Sequence, residues 1–179
     1  DYNVITVLEV DENMNKAIVH VDRAKNVEFR ENIEKIRLIG RIYQPEAILF
    51  ETNTFAKSFT QELRSISDLN VLDFNTTRKK KQEIILNLQM NFENKKMILP
   101  YGDNNSRVLT NALIEELSMF SITESGKFEG VGAHDDLVMS LALANAATNR
   151  PTDSFYLLDD IGLFDSPTTT TNVVPNGLV

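Results

Sequence analysis

The chain has 179 residues, 42% of them apolar and 25% charged, which suits one globular domain able to bury a core. It has no cysteine and only two histidines, so disulfides, thiolate zinc sites, cysteine nucleophiles and multi-histidine zinc sites are excluded. With 18 basic and 26 acidic residues the net charge is −8, which argues against binding nucleic acid through bulk positive charge.

Residues 3–10 are rich in β-branched side chains and predict a strand. Asp11-Glu12-Asn13 is turn material, and residues 16–22 alternate apolar with polar, so the two strands pair as a hairpin. Residues 30–43 place Ile33, Ile36, Ile39 and Tyr43 at helical spacing, and Pro45 ends that helix. The short apolar run 47–51 reads as a buried strand. A helix follows over 55–65 and a strand over 69–74. Thr76 and Thr77 can cap a further helix reaching about Phe92. Residues 97–99 form a brief strand, 106–120 an amphipathic helix, and Ser125-Gly126-Lys127 a turn. Residues 134–148 form a helix that is apolar on most sides, hence buried. Beyond Arg150 the composition shifts to Pro, Gly and a threonine run, so 151–179 reads as an extended or disordered tail after a domain spanning 1–150. A hairpin followed by alternating helix and strand predicts an α/β domain, a mixed sheet with helices on its faces. No apolar run reaches the ~18–20 residues of a membrane helix, and Asp1-Tyr2-Asn3 is not the basic opening of a signal peptide.

Three features carry candidate chemistry. Glu51 closes a buried strand, at the rim where α/β sheets gather ligands; it also reads simply as the first solvent-exposed residue, or as an acceptor for the next helix. The second is His134-Asp135-Asp136, at the start of the buried helix. A capping role satisfies one aspartate. Two aspartates and a histidine leading into a buried helix are harder to explain so, because like charges held together need a cation or hydrogen bonds. Hard oxygen donors suit Mg²⁺ or Mn²⁺, and a strand-end Glu with a helix-start Asp pair resembles a two-metal phosphoryl-transfer site. The third is Arg78-Lys79-Lys80-Lys81, which opposes the helix dipole. It is either a solvated helix face or a contact to a phosphate backbone. Gly126, Gly130 and Gly132 fit neither a dinucleotide fingerprint nor a P-loop, no nucleophile elbow is present, and His20 reads as structural.

Asp1-Tyr2-Asn3-Val4-Ile5, the strand ending in Glu51, the Thr76-Thr77-Arg78-Lys79-Lys80 stretch and the run from Gly132 to Leu141 occur in one order. Together, over roughly 1–150, they resemble the C-terminal nuclease domain of the large terminase subunit of tailed bacteriophages. The resemblance implies an RNase H-like mixed β-sheet flanked by helices, related to RuvC-type resolvases and integrases. It implies Mg²⁺- or Mn²⁺-dependent cleavage of double-stranded DNA during viral genome packaging. It further implies an ATPase domain in the same polypeptide, a portal protein and a small terminase subunit as partners, and a place at the procapsid portal in the host cytoplasm, not secreted. No Walker motif is present in this sequence. By position, Glu51 matches the second-strand acid of the family site and Asp136 the helix acid. Asp135 is a further ligand or outer-shell group, and His134 a neighbour. The family carries another catalytic Asp on a first strand upstream of the Asp-Tyr dipeptide, so either that strand lies outside this sequence or Asp1 substitutes for it. The alternatives are another RNase H-like nuclease, of resolvase or transposase type, and a catalytically silent module that binds DNA or the portal.

Overall fold

The structure, a computed structural model, describes residues 2–52, 56–122, 128–130 and 135–148. Strands β1 (Asn3–Val10) and β2 (Lys16–Ala24) form the expected antiparallel hairpin, with Asn3 opposite Ala24 and a bulge between Val7 and Leu8. Helix α1 (Phe29–Tyr43) stops where Gln44 turns left-handed at φ 45° and donates its N–H to Gly40 O, and Pro45 prevents continuation. Gly40 packs closely under Leu69: a Cβ there would lie 2.6 Å from Leu69 Cδ2, so the leucine side chain would have to shift.

Strand β3 (Ile48–Glu51), helix α2 (Ala56–Ile66) and strand β4 (Val71–Phe74) make a parallel crossover unit, with Glu51 opposite Phe74. Thr77 caps α3 (Arg78–Glu93) as expected, its side chain accepting from Lys80 N at 3.2 Å. Strand β5 (Met97–Ile98) pairs in parallel with β2. Helix α4 (Asn104–Met119) starts two residues before the sequence reading places it. There the Asp103 carboxylate accepts from Ser106 Oγ and from the N–H groups of Asn105 and Ser106, which holds its carboxyl below the usual range. The helix also ends one residue early, because Phe120 opens a hairpin of β6 (Phe120–Ile122) and β7 (Phe128–Gly130). The sequence reading places no strand in either segment; three residues are too few for alternation to register. Helix α5 (Asp136–Thr148) closes the described chain. Asp1, His134, the 125–127 turn and the 151–179 tail lie outside the described residues.

Helices cover both faces of the strands. On one face Ile33 and Ile36 of α1 pack with Phe59 and Leu63 of α2 and Val71 of β4. On the other, Ile84, Ile85 and Leu88 of α3 and Leu113 of α4 pack around Leu137, Val138, Leu141 and Ala142 of α5. Each buried Leu or Ile contributes about 1.5–3 kcal/mol relative to an exposed one, and α5 is apolar on nearly all sides because it is enclosed on nearly all sides. One polar anchor crosses this core: Lys16 is 1% exposed, and its Nζ donates to Asn145 Oδ1 at 2.8 Å. Burial pushes the Lys16 ammonium below its usual pKa.

The expected mixed α/β sheet is present but not as one continuous ladder. β1, β2 and β5 hydrogen-bond in one group, and β3 with β4 in another. Among the described residues β1 pairs only with β2 and β3 only with β4, so each has one edge free of strand partners. Those two strands line a single cleft of about 1320 Å³ with α5 beneath both, and α1 contributes Ile36, Ile39 and Ile42 to its wall. No helix among the described residues is long and apolar enough to cross a membrane.

Candidate active site

The acids that stand out in the sequence line this cleft. Glu51, Asp135 and Asp136 all line it, together with Tyr2, Thr76 and Lys81. Glu51 is exposed at the carboxyl end of β3, and the chain is pinned just beyond it by Thr52 N donating to Phe74 O at 2.9 Å. The β3–β4 pairing therefore fixes where the Glu51 backbone lies.

Asp136 is the first residue of α5, and its Oδ2 accepts from the backbone N–H of Tyr2 at 2.9 Å. Asp135 precedes the helix; its backbone carbonyl accepts from Met139 N at 2.9 Å, and its Oδ2 pairs with Lys81 Nζ at 2.9 Å. The first α5 amides have a different partner. Glu116 of α4 accepts from Leu137 N at 2.8 Å and from Val138 N at 3.3 Å through one oxygen, Oε2. Its other oxygen pairs with Arg23 of β2 at 2.8 Å. The carboxylate that caps this helix thus comes from another element, which weakens capping as the whole explanation of the Asp135-Asp136 pair. Sequence reasoning missed Glu116, since a lone acid within a helix carries no signal of its long-range partners.

The basic run opens α3, and its Lys81 lines the cleft. Lys81 turns onto Asp135, and Lys80 lies 5.8 Å from the Phe74 ring centroid. Arg78 and Lys79 share that first turn. The fold thus places Glu51, Asp135, Asp136 and Lys81 on the lining of one cleft.

Hard oxygen donors on two segments, the end of β3 and the start of α5, are the donor chemistry a divalent magnesium or manganese ion selects. Among the described residues, however, no three acids or histidines gather closely enough to hold a metal ion. The donor type fits such an ion; the described donors are too few to enclose one.

Strands flanked by helices on both faces give this chain the mixed α/β fold of solved terminase nuclease domains. The solved structures it is similar to include the large terminase nuclease from thermophilic phage G20c, at a TM-score of 0.66 and 24% identity over 82% of this chain and 75% of that one. The same nuclease with bound cobalt superposes at a TM-score of 0.61 and 20% identity over 82% of this chain and 81% of that one. With bound zinc the values are 0.61 and 23%, over 82% and 74%. No protein-family model and no curated protein matches the chain.

Proposed function

We propose that this chain is the nuclease domain of a phage large terminase subunit, hydrolysing phosphodiester bonds of double-stranded DNA during genome packaging with Mg²⁺ or Mn²⁺. The observation that carries the reading is that Glu51, Asp135 and Asp136 line one cleft, within a fold similar to that of terminase nucleases. Glu51 and Asp136 are the proposed metal ligands. Asp135, paired with Lys81, is a further ligand or an outer partner, and His134 and Asp1 are candidate neighbours. When bound, divalent ions in a two-ion site stabilise charge at the scissile phosphate and lower the pKa of water. The chain's own residues position the strand-end and helix-start carboxylates, while Arg78, Lys79, Lys80 and Lys81 meet the DNA backbone. The ATPase domain of the same polypeptide, the portal protein and the small terminase subunit are the proposed partners, at the procapsid portal in the host cytoplasm.

The first strand that the resemblance puts upstream of the Asp-Tyr dipeptide would bring a further acid to the site. A second reading draws on the lack of a three-donor cluster: a silent module that binds DNA or the portal. Nicking of supercoiled plasmid with Mn²⁺, Mg²⁺ or EDTA separates the readings, using this chain and a version extended upstream by its native residues. Metal-dependent nicking by the extended form alone supports the nuclease and the added strand. Nicking by both removes the need for that strand. Nicking by neither favours the silent module.

A further inference from the structure

Asp136 is held by a closed ring of contacts that its own helix does not supply. Its Oδ2 accepts from the Tyr2 amide at 2.9 Å. The Tyr2 ring lies under the Arg23 guanidinium, 3.9 Å from ring centroid to Cζ, with Lys25 Nζ at 4.4 Å. Arg23 donates to Glu116 Oε1 at 2.8 Å, and Glu116 Oε2 accepts from the amides of Leu137 and Val138, the two residues after Asp136. Four elements thus meet: the start of β1, the end of β2, the last turns of α4 and the first turn of α5.

We propose that Glu116, working with Arg23, is the positioning residue for Asp136, setting where its carboxylate points. This rests on the reading of Asp136 as a metal ligand. The Glu116 side chain is only 6% exposed, so it is desolvated for a purpose that its own helix does not require. Both oxygens are engaged, so it offers little as a ligand itself. What they engage is informative. One fixes the Asp136 backbone by grasping the next two amides. The other fixes Arg23, which holds Tyr2, which holds the Asp136 side chain. A carboxylate at a helix N-terminus also favours the dipole and satisfies amides that have no partner within the helix. A metal ligand oriented by outer hydrogen bonds loses about 10–100-fold in metal affinity or activity when those partners are removed.

The test uses Glu116→Gln, which retains one acceptor oxygen but loses the charge, with Glu116→Ala as the severe case. In the chain labelled with ¹⁵N-tyrosine, the Tyr2 amide resonance reports the bond to Asp136. Mn²⁺ affinity, and kcat and KM for plasmid nicking, are measured on the upstream-extended form. The expected result for Glu116→Gln is a shifted Tyr2 amide, Mn²⁺ bound about 10–100-fold more weakly, and a lower kcat at unchanged KM for DNA. An unmoved Tyr2 amide with wild-type Mn²⁺ affinity, alongside nothing but a lower melting temperature, overturns the proposal and leaves Glu116 a structural cap. If the Tyr2 amide moves while the unmutated protein neither binds Mn²⁺ nor nicks DNA, the positioning stands and the nuclease reading falls.

Discussion

The backbone N–H of Tyr2 donates to the Asp136 carboxylate at 2.9 Å across 134 positions of sequence. This bond places the start of β1 against the start of α5. Glu51 at the end of β3 lines the same cleft. The site is therefore assembled from chain ends of elements rather than from any one motif. Its geometry depends on how α5 is seated under both strands.

Replacing either proposed ligand by its amide tests the site most directly. Glu51→Gln and Asp136→Asn conserve size, and each removes one negative charge. Even outer partners of a metal ligand cost about 10–100-fold, so each substitution should reduce nicking by the upstream-extended protein at least about 100-fold with little change in melting temperature. Full activity in both variants would remove these two residues from the chemistry.

The basic turn of α3 makes a separate prediction. Changing Lys79, Lys80 and Lys81 to Ala should weaken duplex binding equally for unrelated sequences. The slope of log affinity against log salt should shrink by about 0.9 for each phosphate no longer neutralised. An unchanged slope would make the run an ordinary solvated helix face.

Lys16 predicts a pH dependence of stability. Its pKa is lowered in the folded chain by burial, so between that value and the ordinary one the unfolded chain binds more protons. The burial penalty is complete below the folded pKa. It is relieved as pH rises towards 10.5, the ordinary lysine value. Denaturant midpoints measured at rising alkaline pH should therefore contain a stabilising component that Lys16→Met lacks. Parallel pH curves for the two proteins would contradict the burial argument.

Thr77→Ala removes the side-chain acceptor at the start of α3, the turn that carries Lys81 towards Asp135. The expected loss is about 1 kcal/mol, read from urea unfolding at an unchanged m-value. A loss well below that would mean that another group takes over the Lys80 amide.

Much of the scaffold was legible in the sequence because it rests on local spacing. The β-branched run 3–10 and the alternation over 16–22 mark the hairpin, and the i, i+3, i+4 pattern from Ile33 to Tyr43 marks α1. Thr77 marks its own cap, and the mostly apolar run after Asp136 marks a helix enclosed by others. Each of these signals is carried by residues within a few positions of one another. The unusual acids, Glu51 and Asp135-Asp136, were equally visible, because carboxylates beside buried apolar runs stand out without any knowledge of neighbours.

What only the tertiary structure decided is which distant groups meet. Glu116 reads as an ordinary helix acid until α4 lays it against the first amides of α5, 21 positions away. Lys16 reads as the exposed start of a strand until α5 covers it and brings up Asn145. The split of the sheet around a cleft, and the arrival of Lys81 at Asp135 from 54 residues away, follow from packing helices onto both faces of the strands. Periodicity states which face of an element is buried. It does not state against what, because that choice is made by the shape and charge of every other element at once.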